Sequence, residues 1–277
     1  MFKIKGILVV NHFLKGEKFD ALNRALLQSA LENNVKLELK TNLELSFEKE
    51  FDCNFALFWD KDIALAERME KSGIRLFNSA RSIELCDDKA RTCAALSGVA
   101  KMPETLVAPK TYFKSDMSEF VNKAIEILGV PLVFKECFGS FGEQVFLCKT
   151  KEDVMEKITA RPFILQEYVE NSSGRDKRLE VVGGKVIAAM RRVNENDFRS
   201  NLTNGGKMFP CTASESEKVL AVNACAALGL DFGGVDILDG EILCEVNSNA
   251  HIINISQCTG INAADLIFKH ILSEMKK

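Results

Sequence analysis

The chain has 277 residues, of which 47% are hydrophobic and 27% charged, and its formal net charge is −3 at pH 7. This length can bury a sizeable core in two or three subdomains, and the charge offers no basic surface for nucleic acid or an anionic membrane. Nine cysteines without a CxxC pair, beside three histidines, argue against a zinc site and a disulfide framework. The opening apolar run is too short for a signal peptide or membrane span, so we expect a cytoplasmic protein.

The first quarter of the chain alternates predicted strands and helices. Apolar runs predict strands at 4–10, 35–40, 55–59 and 74–77, and amphipathic patterns predict helices at 20–34 and 62–72. This order favours a small, mostly parallel sheet flanked by helices. The first strand-to-helix turn lacks GxGxxG, so we expect this region to be a scaffold or to contribute an edge of a substrate site.

From about residue 79 the pattern changes to helices mixed with strand pairs. Helices are predicted at 87–97, 115–128, 151–158, 214–228 and 262–275, and strands at 132–136, 144–148 and 163–169. Hairpins are predicted around residues 183–184 and 239–240, with a polar loop at 194–207 between them. The chain shows no internal repeat and no low-complexity segment.

A glycine-rich turn follows directly after an apolar strand that ends in a lysine. Lys135 precedes the segment Gly139-Ser140-Phe141-Gly142, whose glycines allow backbone N–H groups to approach a polyphosphate while the ammonium supplies charge. The order differs from a P-loop, and taken alone the motif is more often a purely structural hairpin loop. Residues 166–169 end another apolar strand, where backbone groups could contact an adenine edge or simply leave the core.

The Gly183-Gly184 turn places charged side chains on one face of its hairpin. A two-residue turn pairs Val182 with Lys185, and strand alternation then puts four residues on a shared face, namely Asp176, Arg178, Glu180 and Arg191. Arginines so placed can hold a carboxylate or a transferring phosphoryl group bidentately, although a solvated, salt-bridged face is the alternative. Arg199 and Asn201, in the polar loop, are candidates to reach bound anions.

The Asp239-Gly240 hairpin predicts a metal site. A type I′ turn there pairs Leu238 with Glu241 and Asp236 with Leu243. The expected apolar face holds Val235, Ile237, Ile242, Cys244 and Val246, and the opposite face holds Asp236, Glu245 and Asn247. Asp236 and Glu245 would be diagonal neighbours about 7–8 Å apart at the backbone. Two carboxylates and an amide are typical magnesium ligands, although an ordinary sandwich hairpin has the same pattern.

Taken in order, these segments resemble the ATP-grasp ligases, specifically their RimK-like branch. The resemblance covers about residues 75–275 and rests on DDKARTCAALS, GVPLVFKECFGSFGEQV, FILQEYVE, GRDKRLEVVGGKVIAAMRR, DFRSNL, GGVDIL and EVNSNAH. It implies an α/β (α+β) fold in three parts: a small α/β domain (1–78) and two α+β subdomains (79–165 and 166–277) that enclose ATP.

The resemblance also implies roles for individual residues. Arg178 and Arg191 (or Arg192) would bind the substrate carboxylate and the acyl phosphate, and the magnesium ligands would be Asp236, Glu245 and Asn247, with Mn²⁺ as an alternative ion. The ATP-binding residues it implies are Lys89, Lys135, Gly139, Ser140, Gly142, Gln166, Glu167, Tyr168, Val169, Asp176, Arg199, Ser200 and Asn201.

The chemistry implied by the resemblance is phosphorylation of a carboxylate by ATP and attack by an amine, giving an amide, ADP and phosphate. A silent ATP-binding regulatory module and a non-ligase ATP-grasp enzyme are the alternatives, and a homo-oligomer is compatible with either. Many relatives carry a small-Pro-Gly turn where this chain has residues 248–251. The acceptor is therefore the least transferable assignment, and His251 could orient a substrate, deprotonate the amine or be structural.

Overall fold

The computed structural model describes residues 4–139 and 142–276, so Ser140 of the predicted lid lies outside the described residues. Within these ranges, no helix is both long and apolar enough to cross a membrane. Three sheets follow one another along the chain and are covered by ten α-helices in the described part. The mixed α+β architecture agrees with the expected fold class.

The N-terminal sheet is parallel throughout and has the strand order β2-β1-β3-β4, which confirms the predicted parallel arrangement. Its elements are β1 (Ile4–Val10), α1 (Glu17–Glu32), β2 (Val35–Thr41), α2 (Asn42–Ser46), β3 (Phe55–Trp59), α3 (Ile63–Lys71) and β4 (Arg75–Phe77). All five residues of β3 are buried because this strand is central and covered on both faces.

The second sheet is antiparallel, with the order β5-β8-β6-β7. Its strands are β5 (Thr105–Val107), β6 (Leu132–Glu136), β7 (Val145–Cys148) and β8 (Phe163–Glu167), with helices α6 (Ser118–Leu128) and α7 (Lys151–Lys157). Leu132, Phe134 and Leu165 form a core with these helices. A domain boundary after residue 165 would cut β8, so we propose that this segment extends at least through Glu167.

The third sheet has the order β11-β10-β9-β12-β13. Its strands are β9 (Arg175–Val182), β10 (Lys185–Val193), β11 (Lys207–Pro210), β12 (Phe232–Leu238) and β13 (Ile242–Asn247). The helices of this part are α4 (Ala80–Asp87), α5 (Lys89–Leu96), α8 (Glu215–Ala227), α9 (Ile252–Thr259) and α10 (Ala263–Glu274). Leu85 and Leu96 pack with Leu179 and Val235 in one buried cluster, so α4 and α5 belong to the core of this sheet.

The N-terminal sheet is joined to the third sheet by a shared core. Leu8 and Leu26 lie in the same buried cluster as Phe232 and Phe268. The fully buried amide of Asn78 donates hydrogen bonds to the carbonyls of Phe232 (2.9 Å) and Ser248 (3.0 Å). Its oxygen accepts from the backbone N–H groups of residues 231 and 232. These contacts fix one end of the N-terminal sheet beside the end of β13.

The register of the β9–β10 hairpin differs from the prediction. Lys185 pairs with Val182 as expected, but an irregularity between Val186 and Ala188 shifts all later pairs by one residue. Arg192 therefore lies opposite Asp176, and Arg191 falls on the other face of the sheet. The prediction that Arg191 shares the face of Asp176 and Arg178 is wrong, because one extra residue reverses strand alternation.

The β12–β13 hairpin also differs, in two places. Leu238 pairs with Ile242 rather than Glu241, since Gly240 and Glu241 both have positive φ in a three-residue loop. A second irregularity then skips Cys244, so Asp236 lies directly opposite Glu245. Leu243 is consequently buried in the core, whereas Ile242 and Cys244 leave the apolar face on which they were expected.

Candidate active site

A cavity of about 670 Å³ lies where the three sheets meet. Among the described residues that the sequence predicted for the site, all except Arg191 line this cavity. Arg191 instead places its guanidinium over the ring of Phe209, 5.6 Å from the centroid. The structure thus gathers side chains that are up to about 160 positions apart in sequence, from Lys89 to Asn247, around one space.

Asp236 lies at the floor of the cavity and is clamped by two arginines. Arg178 donates from Nε and Nη2 to its two carboxylate oxygens, and Arg192 Nη2 lies 3.0 Å from Oδ2. Burial raises the pKa of Asp236, but the charges of Arg178 and Arg192 outweigh burial and hold the pKa below its usual range. Asp236 is therefore an ionised carboxylate at neutral pH.

The oxygen groups beside Asp236 fit a hard divalent cation. Glu245 is directly opposite Asp236, and Asn247 is two residues further along the same strand. The buried amide nitrogen of Asn247 has no hydrogen-bond partner in the described part of the chain, so its amide is not committed elsewhere. No cluster of three or more His, Cys, Asp or Glu suited to a metal occurs among the described residues. The predicted donor set is instead two carboxylates plus an amide, and oxygen atoms of these types are ligands that Mg²⁺ accepts.

Two ammonium groups face the same cavity. Lys135, at the end of β6, is only 8% exposed, and its nearest recorded hydrogen-bond acceptor is Cys244 Sγ at 3.9 Å. Lys89 begins α5, and its Nζ lies 3.9 Å from Glu245 Oε1. A buried ammonium without a close carboxylate partner is costly unless an anion neutralises it. The pair therefore suits a polyphosphate.

The glycine-rich turn is tied to the polar loop that follows β10. Gly142 has φ +74°, and its carbonyl accepts a 2.6 Å hydrogen bond from Arg199 Nη1. Arg199 is also paired with Asp197, whose Oδ2 lies 2.7 Å from Nη2. A Cβ added to Gly139 would lie 2.4 Å from Gln144 Oε1. Arg199 therefore binds Gly142 at the end of the turn, and its charge is not directed only at a ligand.

The residues at the end of β8 organise the opposite wall. Gln166 Nε2 donates to Thr105 Oγ1 at 2.8 Å, and Glu167 Oε2 accepts from the backbone N–H of Glu104 at 3.1 Å. The ring of Tyr168 meets Phe198 edge-on at 6.4 Å. Glu167 thus holds β5 with its side chain while the residues after it line the cavity.

Arg192, which the sequence prediction gave only as the alternative to Arg191, binds Asp176, and Asp176 in turn binds Ser200. Arg192 Nε and Nη2 donate to the two oxygens of Asp176 at 2.7 and 2.5 Å, and Ser200 Oγ donates to Oδ2 at 2.6 Å. Arg192 is 5% exposed, and the charges of Asp236 and Asp176 raise its pKa despite burial. The prediction missed the central position of Arg192 because the one-residue irregularity in β10 cannot be recognised from the alternation of polar and apolar residues in the sequence.

The N-terminal sheet supplies a polar wall that the sequence reading left unspecified. Asn11 follows β1 and Asp60 follows β3, and both line the cavity with Lys61. The sequence contained a signal for this wall, because Asn11 and Asp60 directly follow predicted parallel strands, and ligands of open parallel sheets bind beyond the carboxyl ends of the strands. His251 also lines the cavity, and its Nε2 donates to the carbonyl of Lys18 at 3.1 Å. Burial lowers the pKa of His251, so its ring is neutral at physiological pH.

Comparisons with known proteins agree with this geometry. A family model described as the RimK-like ATP-grasp domain matches residues 86–271. Beta-citrylglutamate synthase B of Danio rerio is 36% identical over 226 residues, covering 77% of this chain and 54% of that protein. A probable alpha-L-glutamate ligase of Vibrio atlanticus is 35% identical over 222 residues, covering 77% of this chain and 72% of its own length.

A solved structure, the ATP-grasp ligase PsnB with minimal precursor, Mg and ADP, superposes with a TM-score of 0.72 over 98% of each chain at 16% identity. The chain spans about half the length of the zebrafish synthase that it matches, whereas it covers most of the bacterial ligase. The match to the family model extends over the second and third sheets and the cavity between them. The chain therefore belongs to the RimK-like ATP-grasp family.

Proposed function

We propose that the protein is an ADP-forming carboxylate–amine ligase that uses ATP and Mg²⁺. The observation that carries this proposal is the floor of the cavity, where ionised Asp236 lies between Arg178 and Arg192 and beside Glu245. Oxygen ligands for a cation thus occur beside two arginines, whose forks bind Asp236 and Asp176 in this structure and would turn to the substrate or phosphoryl group on binding. Phosphoryl transfer requires mainly positioning and cancellation of charge, which these groups supply.

Asp236, Glu245 and Asn247 would hold Mg²⁺, which neutralises phosphate charge when bound. Lys89 and Lys135 would bind the phosphates of ATP. The glycine turn, fastened through Gly142 by Arg199, would keep water from the acyl phosphate. The adenine would lie against residues 166–169.

Arg178 and Arg192, rather than Arg191, would bind the carboxylate that becomes phosphorylated. ATP transfers its terminal phosphoryl group to a carboxylate oxygen and leaves as ADP. The amine gives up one proton to solvent, and the neutral nitrogen attacks the acyl carbon. The C–O bond to phosphate breaks, and a second proton passes from the nitrogen to the departing phosphate. No side-chain nucleophile is needed, which agrees with burial raising the pKa of Cys244, the thiol beside Lys135.

We further propose that glutamate is the amine, because one relative is named as a citrylglutamate synthase and another as a probable glutamate ligase. The carboxylate partner is then a small polycarboxylate such as citrate or the end of an acidic peptide. The nine cysteines are all unpaired, which suits work in a reducing cytoplasm.

The test is phosphate release from ATP and Mg²⁺ with L-glutamate and a panel of acids that includes citrate. Release that requires both an acid and an amine, with an amide product of matching mass, supports the ligase. ATP binding without release under any combination would instead indicate a regulatory binding module. Release that requires only the acid, with a stable phosphorylated product, would indicate a kinase.

A further inference from the structure

Where the N-terminal sheet meets the loop after β13, the cavity wall contains hydrogen-bond acceptors that have no donor among the described residues. Asp60 is 5% exposed and lines the cavity. Its Oδ1 accepts from Asn11 Nδ2 at 3.0 Å and from the backbone N–H of Lys61 at 2.8 Å. Its Oδ2 is buried and has no partner in the described part of the chain.

Asn249 and His251 also carry buried acceptor atoms that have no donor among the described residues. Asn249 Nδ2 donates to the carbonyl of Asp60 at 2.8 Å, which holds this amide against the same wall, yet its Oδ1 has no donor among the described residues. His251 donates through Nε2 to a carbonyl, so Nδ1 carries the lone pair, and Nδ1 is likewise unpartnered within the described ranges. Both residues line the cavity.

Unpaired acceptors, one of them on a carboxyl group, call for a ligand rich in N–H donors. A buried acceptor without a donor costs free energy that a bound donor recovers, and an alkylammonium group carries a positive charge and three donors. We propose that this wall binds the ammonium group of the amine substrate, with Asp60 as its anionic partner and Asn249 and His251 as neutral acceptors. The inference rests on the proposed ligase function and specifies where that ligase holds its amine.

The surroundings support a charged amine. Burial raises the pKa of Asp60 above its ordinary value, and an adjacent cation would reverse that effect by favouring the ionised form. Asn249 is two residues from Asn247, so the wall adjoins the end of β13 that carries the metal-binding positions. A Cβ added at Gly234 would lie 2.7 Å from Ala250 Cβ and 3.0 Å from Arg178 Nη1, so the residue between Asn249 and His251 is close to the arginine proposed to bind the acid.

The substitution Asp60→Asn tests the proposal directly because it replaces the unpartnered Oδ2 and keeps the oxygen that accepts from Asn11 and Lys61. An asparagine keeps Oδ1 for Asn11 and Lys61, and its new NH₂ replaces the oxygen that has no partner. Asp62→Asn is the matched control. Asp62 caps α3 by accepting from the N–H of Leu65 at 3.1 Å, asparagine caps equally well, and Asp62 is not among the residues that line the cavity.

The experiment separates acid activation from amine capture. First, the wild-type protein is assayed with each amino acid and the acid panel, and the most effective amino acid becomes the amine probe. Acid activation is then measured without an amino acid, by trapping the acyl phosphate with hydroxylamine as a hydroxamate. For Asp60→Asn we expect a melting temperature no lower than that of the wild type, unchanged hydroxamate formation, and a KM for the amine probe raised about 10- to 100-fold. Asp62→Asn should match the wild type.

Three other results are distinguishable. If the wild type releases no phosphate with any acid and amino acid, the proposed function itself fails. If Asp60→Asn leaves the amine KM unchanged, an enclosed water rather than the substrate satisfies Oδ2, and the inference is overturned. If hydroxamate formation falls as much as amide formation, Asp60 serves the acid step, and the inference is equally overturned.

Discussion

The charge cluster at the cavity floor predicts a large stability effect for Asp236→Asn. Asp236 is 4% exposed and pairs with Arg178 and Arg192. Arg192 keeps Asp176 as a second partner, but Asp236 provides the only recorded salt bridge of Arg178 among the described residues. The substitution therefore leaves a buried guanidinium unpaired, for which about 3–5 kcal/mol is typical.

Denaturation by urea at pH 7, followed by far-UV circular dichroism, measures this loss in the free energy of unfolding. If the unpaired guanidinium of Arg178 causes the loss of stability, removing it should relieve that loss. The double change Arg178→Met with Asp236→Asn should therefore lower the free energy of unfolding by less than the sum of the two single changes. A coupling of about 1–3 kcal/mol is expected for such a contact. Strict additivity of the two changes would refute the reasoning.

The same pair fixes a pH dependence. The folded-state pKa of Asp236 is lowered, so its stabilising contribution is present above the pKa of the unfolded state, roughly 4. It disappears as the pH falls through the folded-state pKa. The difference between the wild type and Asp236→Asn should accordingly be constant from pH 7 to pH 5 and shrink below pH 4. A difference that grew on acidification would contradict the assignment.

Three further predictions concern single side chains. Lys135→Met should raise the KM for ATP by about 10- to 100-fold, since a buried cation facing the phosphates is lost; an unchanged KM would remove Lys135 from the phosphate site. Arg192→Lys should lower kcat/KM by about 100-fold because the ammonium cannot replace the bidentate fork, whereas Arg191→Lys, outside the cavity, should leave it unchanged. Equal effects of the two would contradict the observed register. Glu180 is buried at 1% exposure, and burial raises its pKa to about 7. Its ionisation therefore opposes folding, and stability is lost as the pH rises from about 4.5 to 7. Glu180→Gln should remove this slope and gain up to about 3 kcal/mol at pH 8, as measured by urea denaturation.

The sequence predicted most strands of the second and third sheets and most of the cavity lining because their signals are local, but it missed the short edge strands β5 and β11. An apolar strand ending in Lys135, the glycines after it, and the acidic pair near a tight turn each follow from a few consecutive residues. The N-terminal wall was left unspecified for a different reason. Asn11 and Asp60 contact each other at 3.0 Å across 49 positions, and only the pairing of β1 with β3 brings them together.

The two hairpins show why one site prediction survived and the other failed. In β12–β13, the loop holds one residue more than expected and Cys244 is skipped, so the two shifts cancel and Glu245 returns to the face of Asp236. In β9–β10 the turn is as predicted and only one shift occurs, so every later residue changes face and Arg192 replaces Arg191. Alternation is unbroken from Glu245 to Asn247, after the irregularity in β13, which is why these two residues stay on one face whatever the register. Whether residues of two paired strands share a face depends on whether the number of unpaired residues between them is odd or even. Ile187 in β10 and Cys244 in β13 are the unpaired residues, and nothing in the sequence marks either of them as unpaired. Side chains from an uninterrupted stretch of one strand can thus be assigned to a common face from sequence. Which residues of the neighbouring strand share that face requires the structure.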